Sequence, residues 1–347
     1  MRIATYNVEW FWTLFDSAGQ PWDDDERAGR YGVTRREQLE AVGRVFQALD
    51  ADAVMVIEAP DSSRKRSGVR ALETFADRFG LRARKALLGF QSETKQEIIL
   101  LYDPDIGTAR HDPQGELTGT HGRDGAPRFD QVLRYDLDVD AAPERMRFSK
   151  PPLEVAFEVA GGPVLRLIGV HAKSKGGRSG ETGDAAMARA IANRRKQLAQ
   201  CIWIRRRADQ HLEAGEPLII LGDFNDGPGL DDYESLFGRS GVEIVLGEGG
   251  AAQMTDPHAR QALSRRLGAT KTTARFWIDT EKRYLQALLD YVMISPDLVV
   301  CDPVWRIWHP FEDPDCWGDN ALREALLAAS DHFPVTLDLD LGGWDSG

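Results

Sequence analysis

The residues with the clearest chemical promise follow one apolar run. Leu218, Ile219, Ile220 and Leu221 come after Gly215 and Pro217 and lead straight into Gly222-Asp223-Phe224-Asn225-Asp226. Four aliphatic residues bounded by turn formers read as a fully buried strand. In extended chain, residues two apart point to the same side, so Asp223 and Asn225 are expected to project together from the strand end. A carboxylate beside a carboxamide suits a hard divalent cation and a phosphate oxygen. Gly222, Asp223, Asn225 and Pro228 are also turn formers, so the same residues read equally well as a strand followed by an Asx-type turn. The rest of the chain has to decide between them.

The arrangement recurs. Asn7, Glu58, His171, Asp290, Asp331 and His332 each follow, interrupt or precede an apolar run. The strands expected to carry them are 2–8, 53–57, 164–170, 288–294 and 335–341. Further strands are expected at 98–102, 131–139, 153–159 and 272–277, with Gly161-Gly162 marking a hairpin between 153–159 and 164–170. Thr34 and Glu37 form a capping box ahead of a helical stripe at Leu39, Val42, Phe46 and Leu49. Val69, Leu72, Phe75 and Phe79 mark a second helix. The longest helix is expected over about Asp184 to His211, with Met187, Ile191, Leu198 and Ile202 on its apolar face, and a short one over Ala321–Ala328. This pattern predicts an α/β (α+β) protein of two packed sheets flanked by helices. One domain is expected over residues 1–341, followed by a short tail, 342–347. No repeat or linker interrupts it, and 103–150 matches nothing assignable.

Composition narrows the field. The 347 residues are 42% hydrophobic and 28% charged, ordinary values for a globular protein. No run approaches the roughly 18 apolar residues of a membrane span, and residues 2–8 read as a strand rather than a targeting core. No membrane association is therefore expected, and a cytoplasmic location is. Three cysteines without CxxC spacing give neither a disulfide framework nor a zinc site. A net charge of −12 weighs against extended duplex contacts but not against nuclease chemistry.

Taken in order, Asn7-Val8-Glu9, Ile57-Glu58, Val170-His171, Gly222-Asp223-Phe224-Asn225, Leu289-Asp290-Tyr291 and Ser330-Asp331-His332-Phe333-Pro334-Val335 resemble the motifs of the endonuclease/exonuclease/phosphatase superfamily. The resemblance runs from Tyr6 to Val335. It implies the deoxyribonuclease I-like four-layer sandwich, with two mostly antiparallel sheets. It also implies hydrolysis of phosphoric esters with Mg²⁺ or Mn²⁺. Glu58 matches the main metal carboxylate, with Asn7 and Asp331 near the same ion. Asp290 matches the acid paired with His332, which activates or orients water or holds a phosphate oxygen. Asp223 and Asn225 match the residues that position nucleophile and phosphate, and His171 faces them from the opposite side. Glu9 stands where many members carry Asp, and Ile57 where they carry Gln. Either Gln96 or Glu97 could orient His171.

The substrate is less constrained. His171-Ala172-Lys173-Ser174-Lys175-Gly176 resembles a loop of bacterial nuclease-like members, making Lys173 and Lys175 candidate phosphate contacts, with Arg178 beyond. Arg64-Lys65-Arg66 reads better as a solvated turn. Six of nine tryptophans (10, 12, 22, 305, 308 and 317) lie in two inserts beside the expected site. Trp305 and Trp308 are thus candidates for an aromatic wall that stacks unpaired bases, the plainer alternative being that these rings pack on one another or at a dimer contact. The expectation is a nuclease acting on DNA or RNA. A small-molecule phosphodiesterase or phosphatase comes second, and a binding protein that has lost catalysis third. The oligomeric state is not legible.

Overall fold

The computed structural model describes residues 1–136, 144–175, 183–227, 238–250, 252–264, 271–278, 282–342 and 344. Arg178, Pro228, residues 137–139 of the expected strand and most of the tail lie outside them. The strands are β1 (Arg2–Asn7), β2 (Ala53–Ala59), β3 (Lys85–Leu88), β4 (Glu97–Tyr102), β5 (Gly107–His111), β6 (Leu133–Tyr135), β7 (Glu144–Met146), β8 (Leu153–Val159), β9 (Val164–His171), β10 (Leu218–Asp223), β11 (Ala274–Ile278), β12 (Arg283–Ala287), β13 (Asp290–Ile294), β14 (Val304–Ile307) and β15 (Val335–Asp338). The helices are α1 (Arg35–Leu49), α2 (Gly68–Phe79), α3 (Gly183–Glu213), α4 (Gly241–Leu246), α5 (Pro257–Leu263), α6 (Pro314–Gly318) and α7 (Asn320–Ala329).

Two sheets dominate, ordered β14-β15-β1-β2-β4-β3 and β13-β10-β9-β8-β5. Each is antiparallel apart from one central parallel pair, β1 with β2 and β9 with β10. Alternation along the first sheet sends Ile3, Ala53, Met55, Ile57, Ile98 and Leu100 into the core shared with the second sheet. The opposite set (Ala4, Tyr6, Val54, Val56, Ile99 and Leu101) packs under α1, α2 and α7. Helix α3 covers the second sheet through Ala199, Cys201, Trp203, Ile204 and Ala208. The result is helix, sheet, sheet, helix: the expected four-layer sandwich.

Strand direction explains why polar residues collect at one rim. The parallel pairs end there, bringing Asn7 and Glu58 from one sheet and His171 and Asp223 from the other. Antiparallel neighbours start there, so Asp290 opens β13 opposite Asp223, and Asp331 and His332 precede β15.

Two local expectations need correction. Strand β10 continues through Gly222 to Asp223 rather than stopping at Gly222. Helix α3 does not bury Met187, which is 51% exposed. Its covered face instead starts near Asn193 and includes Arg194 and Arg207, whose long charged side chains no apolar stripe announces. The capping box at Thr34 and Glu37 forms as expected, but β3, β5 and β12 had no sequence counterpart, being short and only partly buried.

Candidate functional site

A cleft of about 350 Å³ at this rim is lined by Asn7, Glu9, Trp10, Glu58, Gln96, Lys150, His171, Ser174, Asp223, Asn225, Asp331 and His332. The backbone aims several of these. Glu58 sits at a β-bulge, where Ile57 pairs with Ile98 and Ala59 with Glu97, leaving Glu58 extra and in the left-handed region at φ 60°. A bulge of this kind re-aims a side chain, here from the sheet face into the cleft. Asn225 is also left-handed, at φ 49°. It therefore does not reach Asp223 by strand alternation. Its backbone N–H donates to Asp223 Oδ1 at 2.7 Å and its Nδ2 donates to Asp223 Oδ2 at 3.0 Å. The turn and the functional pair are one structure.

Asp223 is the best-held carboxylate. Asn7 Nδ2 also donates to its Oδ2, at 3.1 Å. Burial pushes its acid up to about 7, with Asp290 adding to the effect and His332, Asn225 and Lys150 opposing it. Because Asn225 Nδ2 also donates to Ala172 O at 3.2 Å, its amide fixes Asp223 rather than offering N–H to a phosphate.

Beside Asp223, His332 Nδ1 lies 2.8 Å from Asp290 Oδ2. Burial alone would lower the imidazole, but Asp290, then Asp223 and Asp331, carry it well above its usual value. Asp290 itself is seated by Thr273, whose hydroxyl accepts the N–H groups of Leu289 and Asp290, both at 3.0 Å. His171 has the opposite character. Burial, with Lys150, His332 and Lys173 nearby, holds it well below its usual value, so it is a neutral imidazole. Its Nε2 lies 3.6 Å from Asp223 Oδ2.

Lys150 was missing from the sequence reading. Its Nζ lies 2.9 Å from His171 Nε2 and donates to Gln96 Oε1 at 2.9 Å. Burial brings the ammonium down to about 8 against the pull of Glu58 and Asp223. The signal for it existed: in the expected 153–159/164–170 hairpin, residues just before the first strand lie beside the end of the second, where His171 sits. Of the two residues weighed for orienting His171, Gln96 reaches it through Lys150. Gln96 lines the cleft and holds Lys150, whereas Glu97 accepts N–H groups of Ser62 and Ser92 and ties two loops together.

The remaining candidates divide. Glu9 lines the cleft, but its carboxylate is paired with Arg30. Lys173 lies close enough to lower His171 and Lys150, and its backbone N–H is held by Gln200 at 2.7 Å. Lys175 turns away and donates to the buried Asp226 at 2.8 Å. Trp305 and Trp308 form no wall. Trp305 donates to Val292 O at 2.7 Å at the edge of the inter-sheet core, and Trp308 is buried, donating to Thr336 Oγ1 at 3.1 Å. A strand, β14, runs through Trp305 and pulls it into the sheet, and Trp308 follows directly after it. Of the inserts, Trp10 reaches the cleft; Trp12 instead stacks against Lys95 at 4.3 Å. Arg66 anchors this insert through the carbonyls of Trp12 and Phe15, while Arg64 and Lys65 are exposed as expected.

The donor set fits a hard cation. Asn7 Oδ1 is buried without a hydrogen-bond partner, and Glu58 and Asp331 share the same cleft. Burial raises the Glu58 acid, and Asp331 raises it further while Lys150 and His332 lower it. A divalent ion there would relieve that crowding. Asp223, Asp290 and His332 also bring three ligand-type atoms within 4.8 Å of one another. Both Asp223 oxygens accept amide N–H groups and Asp290 Oδ2 is held by His332 Nδ1, which leaves Asp290 Oδ1 buried without a partner; the all-oxygen set of Asn7, Glu58 and Asp331 is the better match to a hard cation.

Residues 4–332 match the model of the Endonuclease/Exonuclease/phosphatase family. The chain belongs to this family. Members of this family are phosphoester hydrolases and generally depend on a divalent metal ion. Among solved structures, TDP2 from C. elegans aligns at 14% identity over 97% of this chain and 74% of that one, with a TM-score of 0.50. An AP endonuclease from Archaeoglobus fulgidus aligns at 13% identity over 98% and 99%, TM-score 0.49. The human Nocturnin catalytic domain aligns at 13% over 97% and 93%, TM-score 0.45. At 14% identity the likeness to TDP2 speaks for the fold alone. No curated protein sequence matches the chain. No helix among the described residues is long and apolar enough to cross a membrane.

Proposed function

We propose that this protein hydrolyses phosphodiester bonds with Mg²⁺ or Mn²⁺ and that its substrate is nucleic acid, DNA or RNA. The observation that carries this reading is the division of one cleft into three chemistries. Asn7, Glu58 and Asp331 offer oxygen ligands, Asp290 and His332 form an acid–imidazole pair, and Lys150 with His171 adds an ammonium beside a neutral imidazole.

Asn7, Glu58 and Asp331 would hold the ion, which when bound supplies charge neutralisation at a phosphate oxygen. Asp290 fixes His332 with its Nδ1 occupied, leaving Nε2 to donate to a phosphate oxygen. Asp223, held by Asn7 and Asn225, would take the proton of the attacking water. The water oxygen bonds to phosphorus as the bond to the leaving oxygen breaks, the leaving oxygen takes a proton from solvent, and Asp223 returns its proton to solvent. Lys150 stabilises charge developing in the transition state.

A small-molecule phosphodiester is the second reading, supported by the −12 net charge, which disfavours long polyanions. Plasmid, single-stranded DNA, RNA and bis-(p-nitrophenyl) phosphate, each with Mg²⁺ or Mn²⁺ and an EDTA control, separate the two. Metal-dependent cleavage of a polymer supports the first reading. Turnover of the small ester alone supports the second, and no turnover of any supports a binding protein.

A further inference from the structure

A second cavity, of about 520 Å³, opens beside the cleft, and Glu9 and Asp331 line both. Its other walls are Arg30, Tyr31, Arg275, Phe276, Trp277 and Tyr284. The hairpin of β11 and β12 supplies half of its lining residues, Arg275, Phe276, Trp277 and Tyr284. That hairpin is tied to the segment carrying the site residues. Arg275 N donates to Asp331 O at 2.7 Å, Phe333 N donates to Thr273 O at 2.6 Å, and Ala274 bridges to His332. The groove therefore keeps its register with the cleft.

Its surface is built for a flat group. Trp277 and Tyr284 are cross-strand partners with ring centroids 5.1 Å apart, yet they stay 48% and 49% exposed. The Arg275 guanidinium already stacks 3.7 Å above the Tyr284 ring. Large aromatic faces left in water around a concavity mark a binding surface. An acyl chain would not suit walls that include Glu9, Arg30, Arg275 and Asp331. A nucleobase suits them, since it has two π faces and a hydrogen-bonding edge.

We propose that this groove takes a nucleobase of the substrate, one held next to the scissile phosphate, with Trp277, Tyr284 and Arg275 as its stacking surface. The inference rests on the phosphodiesterase reading and narrows it. A base can enter only if it is unpaired, so the favoured substrates are single strands, frayed ends or nucleotide esters rather than intact duplex. Stacking is tolerant of base identity, so little sequence preference follows. It also reconciles an acidic protein with a nucleic acid substrate, because the grip is on one base rather than along a polyanion.

Three esters with the same leaving group test it: the p-nitrophenyl phosphates of thymidine at the 5′ position, thymidine at the 3′ position, and methanol. Wild type should favour one thymidine ester over the methyl ester by roughly ten-fold or more in kcat/KM. Trp277→Ala and Tyr284→Ala should each cut that ratio, mainly through KM, and together bring it near one. Trp317→Ala, an exposed ring outside the groove, should keep it. Equal kcat/KM for all three esters, or a ratio unmoved in the double variant, overturns the groove and leaves the phosphodiesterase reading standing. A binding measurement separates the opposite failure. If no ester is turned over, quenching of tryptophan fluorescence by thymidine 5′-monophosphate but not by ribose 5-phosphate, lost in Trp277→Ala, keeps the groove while the hydrolytic reading falls. No turnover and no quenching overturns both.

Discussion

His332 Nδ1 lies 2.8 Å from Asp290 Oδ2, a contact between the segment before β15 and the first residue of β13. It joins the two sheets at the rim and fixes which imidazole nitrogen faces the cleft. Asp290→Asn keeps the shape but removes the charge that holds the imidazole protonated and oriented. We expect kcat to fall by roughly 10²–10⁴-fold, with circular dichroism unchanged. A loss below about ten-fold would mean that His332 does not act through Asp290.

Lys150 supplies a pH signature. Its ammonium is held at about 8 by burial, so it is charged below that pH and neutral above it. Phosphodiester kcat/KM should therefore decline as pH rises through about 8. Lys150→Arg keeps its charge at all working pH values, so the alkaline decline should move upward. Lys150→Met should cost roughly 10²-fold at pH 7. An alkaline limb identical in wild type and Lys150→Arg would show that this amine does not govern it.

Glu58 is expected to dominate metal affinity. Titration calorimetry with Mn²⁺ should show a site in wild type that Glu58→Gln weakens at least ten-fold, with Asn7→Ala weaker than wild type as well. Undiminished Mn²⁺ binding in Glu58→Gln would move the ion elsewhere, Asp223, Asp290 and His332 being the next group to examine.

Trp308 tests the reassignment of the aromatic inserts. Buried among the residues packed under α1 and α7, with Arg306 4.0 Å above its ring, it should behave as a core residue. Trp308→Ala should lose about 3–5 kcal/mol of stability in urea denaturation. The ester preference of the folded fraction should not change. A stable variant with altered substrate KM would restore Trp308 to the binding surface.

What the sequence disclosed, and what it hid, follows from the physics of each residue. Asn7, Glu58, His171, Asp223, Asp290 and His332 were legible because each breaks an apolar run, and strand direction then forces them to one rim. The four-layer arrangement was legible from the same runs together with the ordered motifs. Lys150 was hidden because it precedes Pro151-Pro152 in a stretch without periodicity, and only strand pairing places it beside His171. Trp305 and Trp308 misled because composition reports that aromatics cluster, not which way they face. The Trp277–Tyr284 pair was missed because β12 is largely exposed and alternates too weakly to announce a strand. Asn225 was placed correctly for an incorrect reason, since a left-handed turn and not strand alternation brings it to Asp223.

The most direct measurement is turnover of bis-(p-nitrophenyl) phosphate by wild type, His332→Ala and Asp223→Ala at equal thermal stability, each with Mn²⁺ and with EDTA. Wild type should show metal-dependent turnover, abolished by EDTA and reduced roughly 10²-fold or more in both variants. Turnover that survives EDTA, or that either variant retains in full, would contradict metal-dependent hydrolysis at this site.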